Sequence, residues 1–170
     1  MKKQFLSIML FLVCISLNAQ ENVIKVNPLG ILFGTASVSY EKILTPTSSF
    51  QVNALYSNIN FLGLHYQGYG GGIDYRLYTT KTKLAPAGFY FSPGVSYNFY
   101  NMEYDSTPYN FSGLSIKGVA GYQWLWGRFD LDLFAGLNYL ILNKTELSND
   151  NIEISSGLGP TLGVSIGYAF

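Results

Sequence analysis

Charge is scarce in this chain. Asp, Glu, Lys and Arg make up only 12% of its 170 residues, about half the share of an average soluble domain. A soluble domain so poor in charge has trouble covering its surface, whereas a chain with lipid on one side needs few charges there. Cysteine occurs once, at Cys14, and histidine once, at His65. A single cysteine excludes an intrachain disulfide. Helical periodicity is missing beyond the first segment, which leaves extended structure. What the chain has in plenty is aromatic residues, 16% of the total with 14 Tyr, together with 18 Gly. Low charge alone does not separate a membrane barrel from a secreted β-sandwich.

The first segment reads as a targeting signal. Lys2 and Lys3 form a basic n-region, and Phe5 to Leu17 form an apolar stretch of about the 7–15 residues expected of an h-region. Cleavage is expected after Ala19, giving a signal peptide over 1–19 and one domain over 20–170. Leu17 is large for the position two before that cut, so cleavage after Gln20 stays open. A membrane anchor is the competing reading, but the stretch falls short of the ~20 residues a spanning helix needs. Phe11-Leu12-Val13 also lacks the small residue that a lipobox places before its cysteine. Removing the signal leaves eight basic and ten acidic residues and no cysteine. A net charge near −2 gives no electrostatic reason to expect a nucleic-acid partner.

Period-2 alternation dominates the rest. At the C-terminus Leu158, Pro160, Leu162, Val164, Ile166, Tyr168 and Phe170 share one face, opposite Gly159, Thr161, Gly163, Ser165, Gly167 and Ala169. One face suits lipid and the other a cramped interior. The same dyad recurs near 129–140, 112–126, 88–100, 66–78, 50–58 and 36–44, and more weakly near 23–32. In the last segment Pro28 breaks the ladder and the apolar phase shifts at Leu29, Ile31 and Phe33, as a bulge would produce. The pattern predicts about eight strands.

An even number of antiparallel strands closes without an exposed edge, which lipid demands because it offers no water to an open one. Segments of about 10 residues match the ~9–11 that cross the hydrocarbon at a ~45° tilt. Connections at 45–48, 79–86 and 127–128 would lie at the periplasmic end. Those at 58–64, 101–110 and 143–155 would face outward as loops, with a short outward link at Gly34-Thr35. Lys42, Lys81, Lys83 and Arg128 cluster at the proposed inner end, while Glu103, Asp105, Glu146, Asp150 and Glu153 lie in outer loops. Aromatics split into an inner band of Tyr75, Phe89, Trp124, Trp126, Phe129, Tyr168 and Phe170 and an outer one of Tyr56, Tyr69, Tyr97, Phe99 and Tyr139. Such girdles flank the apolar band of a membrane barrel. A soluble β-sandwich is the runner-up, but it needs no girdle-ordered apolar face on every strand.

With its dyad strands, its signal ending near Asn18-Ala19-Gln20 and its final Val164-x-Ile166-x-Tyr168-x-Phe170, the chain resembles the small outer-membrane β-barrel superfamily of the OmpA-domain and OmpX type. The resemblance covers about the whole of 20–170 and extends to uncharacterised members, which lend no function. It implies an all-β, eight-stranded antiparallel up-and-down transmembrane barrel in the outer membrane of a Gram-negative cell. It also implies that the barrel-assembly machinery reads Phe170, with Tyr168 beside it, as an assembly signal. Outer-membrane lipids and lipopolysaccharide would be the surroundings, and a monomer the expected state.

The polar faces bring Lys25, Glu41, Asp74, Arg76, Lys117, Asp130 and Asp132 inward. An eight-stranded barrel is only wide enough for side chains to fill it, so these charges are expected to pair into a lumen plug that blocks conduction. The competing reading is a narrow pore or small-solute conduit, which needs water along the axis. A lipid-modifying enzyme is a third, because some barrels of the superfamily use His with Ser and an acid near the outer surface. Here His65 has only Ser57 and Ser112 as partners, with no matching local motif. Gly68-Tyr69-Gly70-Gly71-Gly72 lacks the strand–turn–helix context of a phosphate loop and fits the relief of crowding in a curved barrel. No spacing resembles a calcium loop. The expectation is therefore a non-enzymatic barrel without catalytic, cofactor or metal residues, structural or interactive at the cell surface through its outer loops.

Overall fold

The computed structural model describes residues 22–61, 64–80, 82–104, 107–144 and 156–170. Its strands form one closed barrel in chain order, each antiparallel to the next. They are β1 (Asn22–Val26), β2 (Thr35–Thr45), β3 (Ser48–Phe61), β4 (Leu64–Tyr78), β5 (Gly88–Tyr104), β6 (Thr107–Trp126), β7 (Phe129–Lys144) and β8 (Gly157–Ala169). Closure is made by β1 on β8, from Val23↔Ala169 to Val26↔Ile166. A reciprocal backbone pair between Asn22 and Phe170 extends it. This is the all-β, eight-stranded antiparallel fold that the alternation predicts. The signal segment over 1–19, with Cys14, lies outside the described residues.

We call the end that holds Asn22, Phe170 and the turns at 46–47 and 127–128 the near end, and the opposite one the far end. Gly127, at φ 60°, closes the two-residue turn between β6 and β7, a conformation that costs a residue without Cβ nothing.

The alternation sorts the faces. Along β7 the odd members Phe129, Leu133, Leu137 and Tyr139 are exposed, while Asp130 and Asp132 are fully buried. Along β5 Phe89, Phe91, Val95, Tyr97 and Phe99 face out, and Tyr90, Ser92 and Asn98 face in. The buried apolar cluster is correspondingly small: Tyr78, Tyr90 and Val119, with Ala85 and Phe134 packed against it. Aromatic residues meet across the ladder at two levels. Tyr56 pairs with Tyr69 and Tyr69 with Phe99 toward the far end, the last two stacked at 5.1 Å. Trp124, Trp126 and Phe129 stack in sequence at the near end.

Three connections differ from the sequence expectation. The first strand stops at Val26, and the phase shift at Leu29 and Ile31 is a helix, α1 (Pro28–Leu32), rather than a bulge. The cause is local: Asn27 caps the helix by accepting from the Gly30 N–H at 2.8 Å, and Pro28 occupies the first turn, where its missing N–H costs nothing. The outward link to β2 thus runs from Asn27 to Gly34 instead of turning at Gly34-Thr35. The expected loop at 101–110 is mostly ladder, with Asn101↔Asn110 through Tyr104↔Thr107 paired. The segment at 58–64 likewise belongs largely to β3 and β4, paired up to Phe61↔Leu64. Ring contacts between Tyr66 and Tyr100 and between Tyr100 and Phe111 support this extension. In the third outer connection β7 continues to Lys144, and residues 145–155 lie outside the described residues.

Candidate functional site

Inward positions near the near end carry most of the buried charge among the described residues. Lys25 on β1 and Arg76 on β4 face Glu41 on β2 and the Asp130/Asp132 pair on β7. Lys25 Nζ lies 2.6 Å from Glu41, 3.0 Å from Asp132 and 3.6 Å from Asp130. Arg76 Nη1 donates to Asp132 at 2.7 Å and sits 3.6 Å from Glu41. Four strands thus bring together two cations and three carboxylates.

Uncharged groups, which carry no charge to mark them in the sequence, complete the layer. Gln123 Nε2 donates to Glu41 at 3.2 Å and to Asp130 at 2.7 Å, while its Oε1 accepts from Arg76 at 3.1 Å. Tyr90 donates to Asp132 at 2.7 Å, and the Arg76 guanidinium sits 4.5 Å from the Tyr90 ring centre. The Tyr78 hydroxyl lies 2.6 Å from Glu41 and 2.7 Å from Gln123 Oε1, one proton facing two acceptors. Ser49 also donates to Glu41. Gly121 makes room for Tyr90, since a Cβ there would meet the Tyr90 ring and hydroxyl. The signal for these residues was available: Gln123, Tyr90 and Tyr78 share the inward parity of Lys117, Ser92 and Arg76 on their own strands. Burial at this depth makes such a layer all-or-nothing, because each partner removed strands another group away from water.

The seven inward charges do not form one network. Lys117 Nζ lies 2.9 Å from Asp74, and Asn53 donates to the same carboxylate at 2.7 Å. This pair sits apart from the other five, beside a cavity of about 240 Å³ that occupies the lumen on its far side. The lumen is therefore filled only in part, which differs from the expectation that side chains fill it throughout. Small inward residues explain the space: Ser37, Ser39, Asn53, Thr161 and Ser165 line it.

Other candidates are dispersed. Ser57 is buried in the lumen and bonded to Thr35 at 2.9 Å. Ser112 instead bonds the hydroxyl of the outward Tyr97 at 2.8 Å. The side chain of His65 lies outside the described residues. The backbone pairs His65 with Asn60 and Glu103. At the near end Tyr168 faces out and accepts a 2.7 Å hydrogen bond from Arg128, while Phe170 closes the seam by its backbone. Gly68 to Gly72 lie within β4, where a Cβ at Gly70 or Gly72 would strike β5.

A family model whose description is "protein of unknown function (DUF3575)" matches residues 5–170. No curated protein and no solved structure matches the chain.

Proposed function

Because the chain belongs to this DUF3575 family, whose description lends no activity, we propose a role from the barrel itself. The protein is an integral outer-membrane barrel of the OmpA-domain and OmpX type in a Gram-negative cell. It is monomeric and non-enzymatic, closed to solute flow by its charged layer, and it presents its far-end hairpins at the cell surface. Lipid and lipopolysaccharide surround it, and the barrel-assembly machinery reads its Tyr168/Phe170 end.

One observation carries this reading: the barrel is inverted relative to a water-soluble one. Its wall exposes Ile24, Val52, Ile73, Phe91, Ile116 and Leu137, while its interior buries Lys25, Glu41, Arg76, Asp130 and Asp132. Contiguous apolar surface of this extent is not sustained in water, whereas hydrocarbon accepts it. Strands of 11–20 residues from β2 to β8 exceed the ~9–11 that span the hydrocarbon, so the surplus of β5 and β6 projects as a stiff hairpin suited to contact. What supports the closed lumen is the near-complete burial of Lys25, Glu41, Gln123, Asp130 and Asp132.

The test is reconstitution of the full chain into planar bilayers and vesicles. The reading expects a heat-modifiable, detergent-dependent folded form and no discrete conductance steps. Steps that persist would favour the conduit, and a folded protein freely soluble without detergent would overturn the membrane assignment.

A further inference from the structure

The barrel wall has one place where the ladder stops early. β1 is five residues long and leaves β8 at Val26↔Ile166, so Gly157 to Ser165 continue toward the far end with no β1 residue beside them. Asn22 and Phe170 exchange both backbone hydrogen bonds, which fixes the direction of every group along β8. Even-numbered residues turn their N–H and C=O toward β1, and beyond Ile166 those of Val164, Leu162 and Leu158 point into the gap. Among the described residues no backbone partner meets them. Pro160 falls in the same series, where a paired strand would need an N–H that proline lacks.

The far lip of the gap is Asn27, α1 and the start of β2. Helix α1 touches β2 and β8 but buries none of its five residues, and a helix turns its own backbone groups along its axis, so it supplies β8 with no ladder. Outside, the rim is apolar and open: Leu32 is 78% exposed, Phe33 74% and Leu162 76%. Inside, the gap meets the lumen cavity, which both lips border: Asn27 and Thr35 from one, Thr161 and Leu162 from the other. The cavity wall mixes polar side chains with apolar ones such as Val119 and Phe134, and among its lining residues Gln51 Oε1, Ser92 Oγ and Arg76 Nε are buried without a hydrogen-bond partner.

From these placements we propose that the β1–β8 gap is a lateral portal, through which a single-chain amphiphile with an uncharged, hydroxyl-bearing head enters the cavity from the bilayer. This rests on the membrane assignment above. In hydrocarbon an unpaired strand edge is costly, and a polar head drawn to the gap satisfies it while the alkyl chain lies against Leu32, Phe33 and Leu162. The head is uncharged because the site offers no net positive field to an anion, and its carboxylates are buried against Lys25, Arg76 and Lys117 with none left for a cation. Lys117 is matched by Asp74, and the layer beneath holds two cations against three carboxylates. Hydroxyls suit the mixture of free acceptors, a free donor and serine side chains.

The experiment uses the full chain in phosphatidylcholine vesicles with a photoreactive monoacylglycerol, and cross-linked peptides are mapped. Insertion is scored separately by heat-modifiable mobility. Adducts are expected to concentrate on 27–35 and 157–165 and to fall about tenfold, the equivalent of 1.4 kcal/mol, in Leu162→Trp, which blocks the gap. Ile73→Trp, outward on β4 at the opposite side of the barrel, leaves them unchanged. Ser39→Phe fills the cavity from within and gives the same loss should Leu162→Trp fold poorly. Inserted protein labelled evenly around its wall overturns the portal and leaves the barrel standing. Labelling as strong with an anionic lysophospholipid probe overturns the assigned head group. Failure to insert overturns the membrane assignment and the portal with it.

Discussion

The two halves of the lumen are built from the same strands by the same alternation, yet the near half is packed solid and the far half holds a cavity of about 240 Å³. Strand number fixes the bore of a barrel, so the contrast arises from what points inward. Near the termini these are Lys25, Glu41, Arg76, Tyr78, Tyr90 and Gln123, all long and all interlocked. Farther along they are Ser37, Ser39, Asn53 and Thr161, too short to meet across the axis. A filled lumen is a property of side-chain length and pairing at one level, and an eight-stranded wall does not guarantee it elsewhere.

The contrast predicts a gradient of mutational cost, read as the temperature at which the folded form is lost on a gel. Arg76→Ala should cost most, about 3–5 kcal/mol, because Asp132 and Gln123 lose their shared donor in a sealed layer. An unchanged transition would break the comparison. Tyr90→Phe removes one hydrogen bond to a buried carboxylate and should cost about 1.5–3 kcal/mol. Lys117→Met acts on a pair that borders the cavity and whose cation is 24% exposed, so water and Asn53 can replace it at a cost of about 1 kcal/mol or less. Ser39→Leu points into open space and should stay within about 0.5 kcal/mol. If it destabilised as much as Tyr90→Phe, the far half would be as tightly packed as the near half.

Much of this was legible in the sequence, and the exceptions have physical reasons. Alternation marked every strand because two different environments on the faces of a sheet leave a period of two. The charges at 25, 41, 74, 76, 117, 130 and 132 carried the inward parity for the same reason. Their division into a group of five and a separate pair was not legible, since it depends on stagger between strands. Gln123 and Tyr78 carry no charge to single them out, although a buried carboxylate needs donors of any kind. Helix α1 was hidden behind Pro28, which reads equally as a strand break and as a helix start. The Asn27-Pro28 pair, a cap followed by a first-turn proline, was the available clue. The extended part of the β5–β6 hairpin reads as loop in the sequence because Asn, Ser and Tyr carry little alternation once a strand has polar surroundings on both faces.

The most direct measurement of the central claim, that hydrocarbon lies against the apolar face and protein against the other, is a scan along β7. Single cysteines at positions 129 to 139 in a Cys14→Ser background, each carrying an environment-sensitive fluorophore, are read in phospholipid vesicles with a lipid-borne quencher and an aqueous one. Odd positions should be quenched by the lipid-borne reagent and even positions shielded from it, in strict alternation. Quenching by the aqueous reagent at Leu133, Ala135 and Leu137, without alternation, would contradict the account.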